Sequence, residues 1–186
     1  MEPLRSDPVM AELLDEHGPL ELVPADDPFE RFVVSILRQQ VSMASAEAIR
    51  ERVFDRFEVA PRPILDADEA ALKEAGLSRQ KVEYVRNVAE AFLEREYDHA
   101  YFAGMDDDAV VDELTTIRGV GDWTAKMFLL FCLGREDVFP VEDLGIRSAM
   151  RTLYDEELSR DAMVDHAARW RPYRSYASLY LWRATE

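Results

Sequence analysis

The chain is poor in cysteine and has no long apolar run. Its single cysteine, Cys132, excludes an intramolecular disulfide framework, a cysteine-ligated iron–sulfur cluster and a cysteine-rich zinc site. Cys132 lies in the apolar segment MFLLFCLG, where we expect a small buried hydrophobe. No apolar run approaches the roughly 20 residues that a membrane span needs, and the N-terminus lacks a signal-peptide core. We therefore expect a soluble intracellular protein without a membrane partner.

Lysine is also scarce. Only Lys73, Lys81 and Lys126 are lysines among 22 basic residues, against 38 acidic residues and a formal net charge of −16. Acidic excess with few lysines is typical of proteins that work in high salt, although an ordinary acidic enzyme has the same sign of charge. The total charge makes nucleic acid a poor partner. A local patch meets the phosphates, however, and high salt weakens the electrostatic term, so contacts would have to come from backbone amides and insertion.

Helical periodicity runs through most of the chain. Apolar residues make up 48% and charged residues 32%, which is typical of a globular protein. Asp27 with Pro28 begins one predicted helix, and Ser78 caps another. The segment from Asp122 to Gly134 has no polar face, so we expect a central helix there. The sequence contains no recognisable strand pair, and it predicts an all-α fold of about ten short helices.

Two of the seven glycines, Gly119 and Gly121, stand one residue apart in TTIRGVGDWTAKMF, directly before a predicted helix. Glycine allows positive φ and close approach, and a helix N-terminus presents free N–H groups with partial positive charge. The pattern therefore fits an anion site that needs no cationic side chain. A tight turn between two packed helices explains it equally well. No GK[ST] sequence follows, which disfavours nucleotide hydrolysis.

Adjacent carboxylates, Glu142 and Asp143, occur in VFPVEDLGIRSAM. Taken alone, Asp143 is best interpreted as the cap of the following helix, with Arg147 as an ion-pair partner four residues on. One buried helix and a returning loop separate it from the glycine pair, and such a path can bring Asp143 to the same end of the domain.

These segments together resemble a known family. LTTIRGVGDWTA followed by PVEDLGIR is similar to the helix-hairpin-helix DNA glycosylase superfamily, with its glycine-rich hairpin and essential aspartate. PFERFVVSILRQQVS and WRPYRSYASLYLW narrow the resemblance to the 3-methyladenine DNA glycosylase II branch. The resemblance spans about Asp27 to Trp182. Larger bacterial members have an additional N-terminal α/β domain, and we expect this chain to comprise the catalytic core alone.

The resemblance implies a two-lobed helical fold with the active-site cleft between the lobes. We expect residues 1–186 to form one catalytic domain. One lobe would comprise about 28–134, including the hairpin at 109–132. The other would comprise about 135–186 together with the N-terminal segment.

The resemblance also implies roles for individual residues. Asp143 matches the catalytic aspartate, and the role of Glu142 is left open. The residues matched to the DNA phosphate grip are Gly119, Val120, Gly121 and Thr124. The carbonyls of Ile117 and Gly119 match positions where this superfamily can bind a monovalent cation, Na⁺ or K⁺. No other cofactor and no transition metal are expected.

Trp123 stands where bifunctional relatives have a Schiff-base lysine, which implies base removal without strand cleavage. Lys126 lies about 300° further around the helix and is a poor substitute. Gln40 matches the residue wedged into the duplex, where the nearest bacterial pattern has leucine. Tryptophans are usually core residues, as we expect of Trp170, but the resemblance implies that three aromatic side chains line the base pocket: Trp123, Trp182 and Tyr176.

The implied function is a monofunctional DNA glycosylase that flips out alkylated bases of the 3-methyladenine type and hydrolyses their N-glycosidic bond. Its expected partner is double-stranded DNA with damaged bases, and we expect a monomer located in the cytoplasm with the nucleoid, or in the nucleus of a eukaryote. An oxidised-base glycosylase of the same superfamily and a non-catalytic DNA-binding module are the alternatives. Trp123 argues against the bifunctional enzymes among the first. The Glu142–Asp143 pair argues against the second, because carboxylates repel phosphates.

Overall fold

The computed structural model describes residues 1–154 and 157–185. These residues form thirteen α-helices and one short 3₁₀ helix and contain no β-strand, so the predicted all-α fold is confirmed. No helix within them combines the length and the apolar character needed to cross a membrane. The α-helices are α1 (Glu2–Arg5), α2 (Pro8–His17), α3 (Pro28–Arg38), α4 (Met43–Arg56), α5 (Pro61–Asp66), α6 (Glu69–Glu74), α7 (Arg79–Glu94), α8 (His99–Phe102), α9 (Asp107–Thr115), α10 (Asp122–Phe131), α11 (Leu144–Leu153), α12 (Arg160–Ala167) and α13 (Arg174–Arg183); the 3₁₀ helix is Ala168–Trp170.

Helix starts follow the predicted caps. The carboxylate of Asp27 accepts hydrogen bonds from two N–H groups in the first turn of α3, and the hydroxyl of Ser78 does the same for one N–H of α7. Helix α10 begins at Asp122 as predicted but ends at Phe131, not at Gly134. Apolar character alone did not mark this end, because a buried turn is as apolar as a buried helix.

The chain divides into two compact units. The contiguous unit comprises Ala25–Phe128, and the split unit combines Met1–Pro24 with Leu129–Glu186. The contiguous unit has an aromatic core in which the ring centroids of Phe32 and Phe128 lie 5.0 Å apart and those of Phe102 and Phe128 lie 5.1 Å apart. Such ring pairs stabilise a core beyond the area that they bury.

The core of the split unit contains one buried carboxylate. The indole N–H of Trp170 donates to Oδ2 of Asp7 at 3.0 Å, and the hydroxyl of Tyr154 donates to the same oxygen at 3.2 Å. Burial alone raises the pKa of Asp7, but hydrogen bonds from Trp170, the Met10 N–H and Tyr154 together hold that pKa below its usual value. Trp170 is fully buried, which confirms it as a core residue.

Candidate functional site

The hairpin between α9 and α10 is closed by its own backbone. The N–H of Val120 donates to the carbonyl of Ile117 at 3.0 Å. The carbonyl of Gly121 accepts from the N–H of Ala125 at 3.0 Å, which places Gly121 at the N-cap of α10. The turn thus already engages the N–H of Val120, and contact of Val120 with a DNA phosphate stays a prediction.

Gly119 and Gly121 lack a side chain for different reasons. Gly119 has φ +101°, and a Cβ there would lie 2.2 Å from Cγ of Tyr84, so the fold itself requires glycine. Gly121 has no positive φ, and a Cβ there would meet no atom within 4 Å. Nothing in the described part of the chain explains the bare backbone at Gly121. Gly121 directly precedes the ten-residue helix α10, so its backbone is accessible to an external group at the N-terminus of that helix.

Side-chain amides hold the carbonyl side of the hairpin. Nδ2 of Asn87 donates to the carbonyl of Arg118 at 3.0 Å, and Nε2 of Gln39 donates to the carbonyl of Gly119 at 3.1 Å. A cation at the Gly119 oxygen would face the partial positive charge of the Gln39 amide hydrogens. The Ile117 carbonyl already accepts from the turn. Each carbonyl oxygen keeps a second lone pair, and the expected Na⁺ or K⁺ at Ile117 and Gly119 stays a prediction.

The first turn of α10 contains two of the predicted site residues. Thr124 is 2% exposed, and its hydroxyl accepts a hydrogen bond from Nε2 of Gln39 at 2.9 Å. This bond gives Thr124 a role inside the protein, and contact with a phosphate stays a prediction. Trp123 is half-buried, and its place in a base pocket also stays a prediction.

The predicted wedge residue lies at a sharp turn. Gln40 follows the end of α3, is exposed and has φ +57°, a conformation that side-chain-bearing residues seldom adopt. Its neighbours Val41 and Met43 are exposed apolar side chains, 39% and 65% accessible. Backbone strain, exposure and apolar neighbours are the properties of a loop tip that contacts another molecule.

Asp143 lies at the N-cap of α11, where Oδ1 accepts from the N–H of Ile146 at 3.0 Å. The indole N–H of Trp182 donates to the same oxygen at 2.9 Å. Capping the helix and forming a site with Trp182 are thus compatible roles. The guanidinium of Arg147 instead donates to the carbonyls of Val141 and Glu142, at 3.1 and 2.5 Å.

The Trp182 indole is held between neighbours that the sequence did not identify. It stacks on the ring of Phe131 with centroids 5.8 Å apart and planes inclined by 30°. A Cβ at Gly145 would lie 3.1 Å from Oδ1 of Asp143 and 3.2 Å from Cδ1 of Trp182. Glycine therefore allows the carboxylate and the indole to meet over bare backbone. The missed signal was the glycine two residues after the candidate aspartate.

The beginning of α13 fixes the loop that leads to Asp143. The hydroxyl of Ser175, which is fully buried, accepts from the N–H of Val138 at 2.9 Å and donates to the carbonyl of Arg135 at 2.6 Å. Nε of Arg174 donates to Oδ1 of Asp137 at 2.7 Å. Because Trp182 lies in the last turn of the same helix, α13 holds this loop at both of its ends.

Tyr176 lies elsewhere. Its hydroxyl donates to Oε1 of Glu136 at 3.1 Å, and its ring lines a groove with Tyr173, Leu20 and Leu22. Neither Asp143 nor Trp182 lines that groove. The structure thus brings Asp143 and Trp182 together and does not place Tyr176 with them, because Tyr176 and Trp182 leave α13 in different directions.

The residues that the structure describes contain no group of three or more histidine, cysteine, aspartate or glutamate side chains arranged to hold a metal ion.

Beside Asp143, the side chain of Leu144 is 70% exposed. The candidate site therefore consists of an oriented carboxylate with an indole on one side and an exposed leucine adjoining it in sequence.

The chain has clear relatives. The HhH-GPD superfamily base excision DNA repair protein family matches residues 33–172. A Bacillus subtilis (strain 168) protein is 29% identical over 95% of this chain, which spans 66% of that protein's length. The crystal structure of a DNA-3-methyladenine glycosidase from Bacillus halodurans is similar with a TM-score of 0.80 and 32% identity, covering 98% of this chain and 86% of that one.

A Schizosaccharomyces pombe 3-methyladenine DNA glycosylase, solved in complex with abasic DNA, is similar with a TM-score of 0.89 and 25% identity, covering 98% of this chain and 96% of that one. The family match covers three quarters of the present sequence, including the hairpin and Asp143. The protein belongs to the HhH-GPD superfamily of base excision DNA repair proteins.

Proposed function

We propose that the protein is a monofunctional DNA glycosylase that removes alkylated bases of the 3-methyladenine type from double-stranded DNA. The observation that carries this proposal is the carboxylate of Asp143, whose Oδ1 is oriented by the N–H of Ile146 and the indole N–H of Trp182. The names of the Bacillus halodurans and Schizosaccharomyces pombe relatives support the substrate class.

The reaction begins when the damaged nucleotide leaves the base stack, which requires a few kcal/mol of unstacking and is easier for a damaged pair. A base such as 3-methyladenine carries positive charge, which makes it a good leaving group. Glycosidases with neutral leaving groups typically use two carboxylates, one of them a general acid. Here one carboxylate is sufficient, because the leaving group is already activated.

Asp143 acts on the sugar. Its carboxylate stabilises the positive charge that develops on the deoxyribose and orients the water that attacks the anomeric carbon. A carboxylate fixed by two donors needs little reorganisation during the reaction. The Trp182 ring also offers an electron-rich face, and a cationic base gains about 0.5–2 kcal/mol on such a face.

The hairpin binds a DNA phosphate at Gly121, where bare backbone and the N-terminus of α10 meet. Gln40 enters the duplex from its turn and occupies the space that the flipped nucleotide leaves. Trp123 provides no amine for a Schiff base, so the product is an abasic site in an uncut strand. The protein acts as a monomer. It is located with the genomic DNA, in the nucleoid of a prokaryote or in the nucleus of a eukaryote.

A lesion panel tests the proposal. Duplexes with 3-methyladenine, 1-methyladenine-type lesions, hypoxanthine or 8-oxoguanine are incubated with the protein at low and at high salt, and abasic sites are scored with and without alkaline cleavage. We expect excision of the alkylated bases, with strand breaks appearing only after alkali. Strand cleavage without alkali, or a preference for 8-oxoguanine, would point to the oxidised-base alternative.

Substitution of the aspartate tests the mechanism. We expect Asp143→Asn to lower single-turnover excision by at least about 100-fold, while DNA binding and the far-ultraviolet circular dichroism spectrum stay close to wild type. Asp165→Asn, an exposed aspartate in α12, is the matched control and should excise normally. Near-normal activity of Asp143→Asn would overturn the assignment.

A further inference from the structure

Gln39 connects both flanks of the open glycine. Its side-chain Nε2 donates to the carbonyl of Gly119 at 3.1 Å and to the hydroxyl of Thr124 at 2.9 Å. One of these residues precedes Gly121 and the other follows it, so both N–H groups of a single amide fix the segment around Gly121. Gln39 also directly precedes Gln40, and it thereby joins the proposed phosphate grip to the strained turn of the proposed wedge.

Lys81 holds the other side of this turn. Its Nζ donates to the carbonyl of Leu37 at 2.6 Å, two residues before Gln39, at the C-terminal end of α3. An ammonium at this end of a helix meets the negative end of the dipole and satisfies a carbonyl that has no helical partner.

The placement of Lys81 is otherwise unfavourable. It lies in the first turn of α7, where the dipole of that helix disfavours a cation, and only 9% of the residue is exposed. Burial lowers the pKa of its ammonium group. A residue that breaks two local rules, in a chain with three lysines, indicates a function beyond stability.

We propose that Gln39 and Lys81 are positioning residues that set the Gln40 turn in register with the Gly121 hairpin before DNA binds. This inference rests on the proposed glycosylase function and adds a division of labour to it. The hairpin binds the DNA strand. Gln39 and Lys81, which we call the Gln39–Lys81 brace, fix the position of the turn that carries Gln40. All residues of the brace lie within the contiguous unit, so its geometry is internal to that unit.

The brace matters for opening a base pair and not for cleaving the glycosidic bond. Its loss should slow excision where the lesion is paired and stacked. Excision should be almost unaffected where the lesion is already unpaired, because opening then requires little free energy. A purely structural role would lower both activities equally, and a role in phosphate binding alone would weaken the affinity for both substrates equally.

Gln39→Glu provides the test, because it keeps the shape of the side chain and replaces the amide donor by an oxygen that faces the Gly119 carbonyl. We expect single-turnover excision of a paired alkylated base to fall about 10-fold or more, and excision of the same base opposite a tetrahydrofuran abasic analogue to fall less than about 3-fold. Equal losses on the two duplexes, or no loss on either, overturn the proposal. Gln39→Met, which lacks the charge, replaces Gln39→Glu if that variant does not fold.

Lys81→Met gives a second, independent substitution, since it keeps an unbranched side chain and removes the donor to Leu37. We expect the same split between paired and unpaired lesions, of smaller size. The matched control is Lys73→Met, whose exposed ammonium pairs with Glu69, and it should behave as wild type on both duplexes. A Lys81→Met variant that matches this control would exclude Lys81 from the brace.

Wedge insertion is measured separately from excision with 2-aminopurine placed beside a tetrahydrofuran site. The wild-type protein should change the fluorescence on binding, and Gln39→Glu should lose most of that change. If the wild type changes the fluorescence but excises no lesion, the proposed function is wrong. The fluorescence of Gln39→Glu then still shows whether Gln39 positions the wedge. A wild type that does neither overturns both.

Discussion

The hairpin and the Asp143 loop are built in opposite ways. At the hairpin, side-chain amides donate to backbone carbonyls, as Gln39 does to Gly119, and a Cβ at Gly121 would meet no atom within 4 Å. At the loop, a backbone N–H and an indole hold a side chain, the carboxylate of Asp143. One region therefore presents main chain supported by side chains, and the other presents a side chain supported by a backbone N–H and an indole.

This difference predicts which measurement each region controls. A phosphate site made of backbone is blocked when a side chain is added, and the protein then binds DNA with lower affinity. The carboxylate of Asp143 becomes less effective when one of its hydrogen-bond donors is removed, and the excision rate then decreases. Three substitutions test this contrast, in decreasing order of expected effect, and a fourth prediction concerns the core of the split unit.

Gly119→Ala should have the largest effect, because it acts on the fold itself. The positive φ and the contact with Tyr84 leave no room for Cβ, so the free energy of unfolding should fall by at least about 2 kcal/mol. Urea unfolding followed by circular dichroism gives the value. A variant as stable as the wild type would mean that Tyr84 can move away, and the hairpin would then be less rigid than we infer.

Trp182→Phe should lower the single-turnover excision rate and leave DNA affinity nearly unchanged. The ring stays, so the stacking on Phe131 is kept, but the donor to Asp143 is lost. Removing a hydrogen bond to a carboxylate corresponds to about a 10- to 100-fold decrease in single-turnover rate. Binding to a duplex with an abasic analogue is the control. A variant that loses affinity but keeps its rate would place Trp182 in base binding and not in carboxylate positioning.

Gly121→Ala should have the opposite signature. A Cβ there meets no protein atom, so stability should change by no more than about 1 kcal/mol. The added methyl group stands where the phosphate approaches, and DNA affinity should fall about 10-fold, as fluorescence anisotropy can measure. The comparison between the two glycines fails if Gly121→Ala destabilises the protein as much as Gly119→Ala.

Acid should weaken the split unit. Burial, assisted by the charge of Arg169 and opposed by Asp7, lowers the pKa of His166 below its usual 6.5. The unfolded chain then binds a proton at His166 more readily than the folded protein does. The stabilisation present above pH 6.5 is therefore lost as the pH falls below that value.

Thermal unfolding between pH 7.5 and 5 measures this loss. The melting temperature should decrease across that range, and His166→Gln should flatten the decrease. An acid dependence that is unchanged in His166→Gln would assign it to other groups.

Much of this architecture can be predicted from the sequence, and the parts that cannot share a cause. Helical periodicity, the caps at Asp27 and Ser78 and the family motifs are local patterns, and the structure contains the corresponding helices. The family motifs identify both Asp143 and Trp182, but the hydrogen bond between them joins residues far apart in the sequence.

The residues that the sequence did not reveal act at long range. Gln39 contacts a hairpin 80 residues away, and Lys81 contacts a carbonyl 44 residues away. No period or spacing predicts such pairs. Tyr176 illustrates the same limit, because it is near Trp182 in sequence but lines a groove to which Trp182 does not contribute. Its place in a base pocket stays a prediction.

The split unit has a consequence for how the protein is made. Residues 25–128 are continuous and can fold as soon as they leave the ribosome. Asp7 is synthesised before any of them, yet its hydrogen-bond partners Tyr154 and Trp170 follow 147 and 163 residues later. The first helices must therefore stay without their core during most of translation. The period between the synthesis of residue 7 and that of residue 170 is when a chaperone would be most useful to this chain.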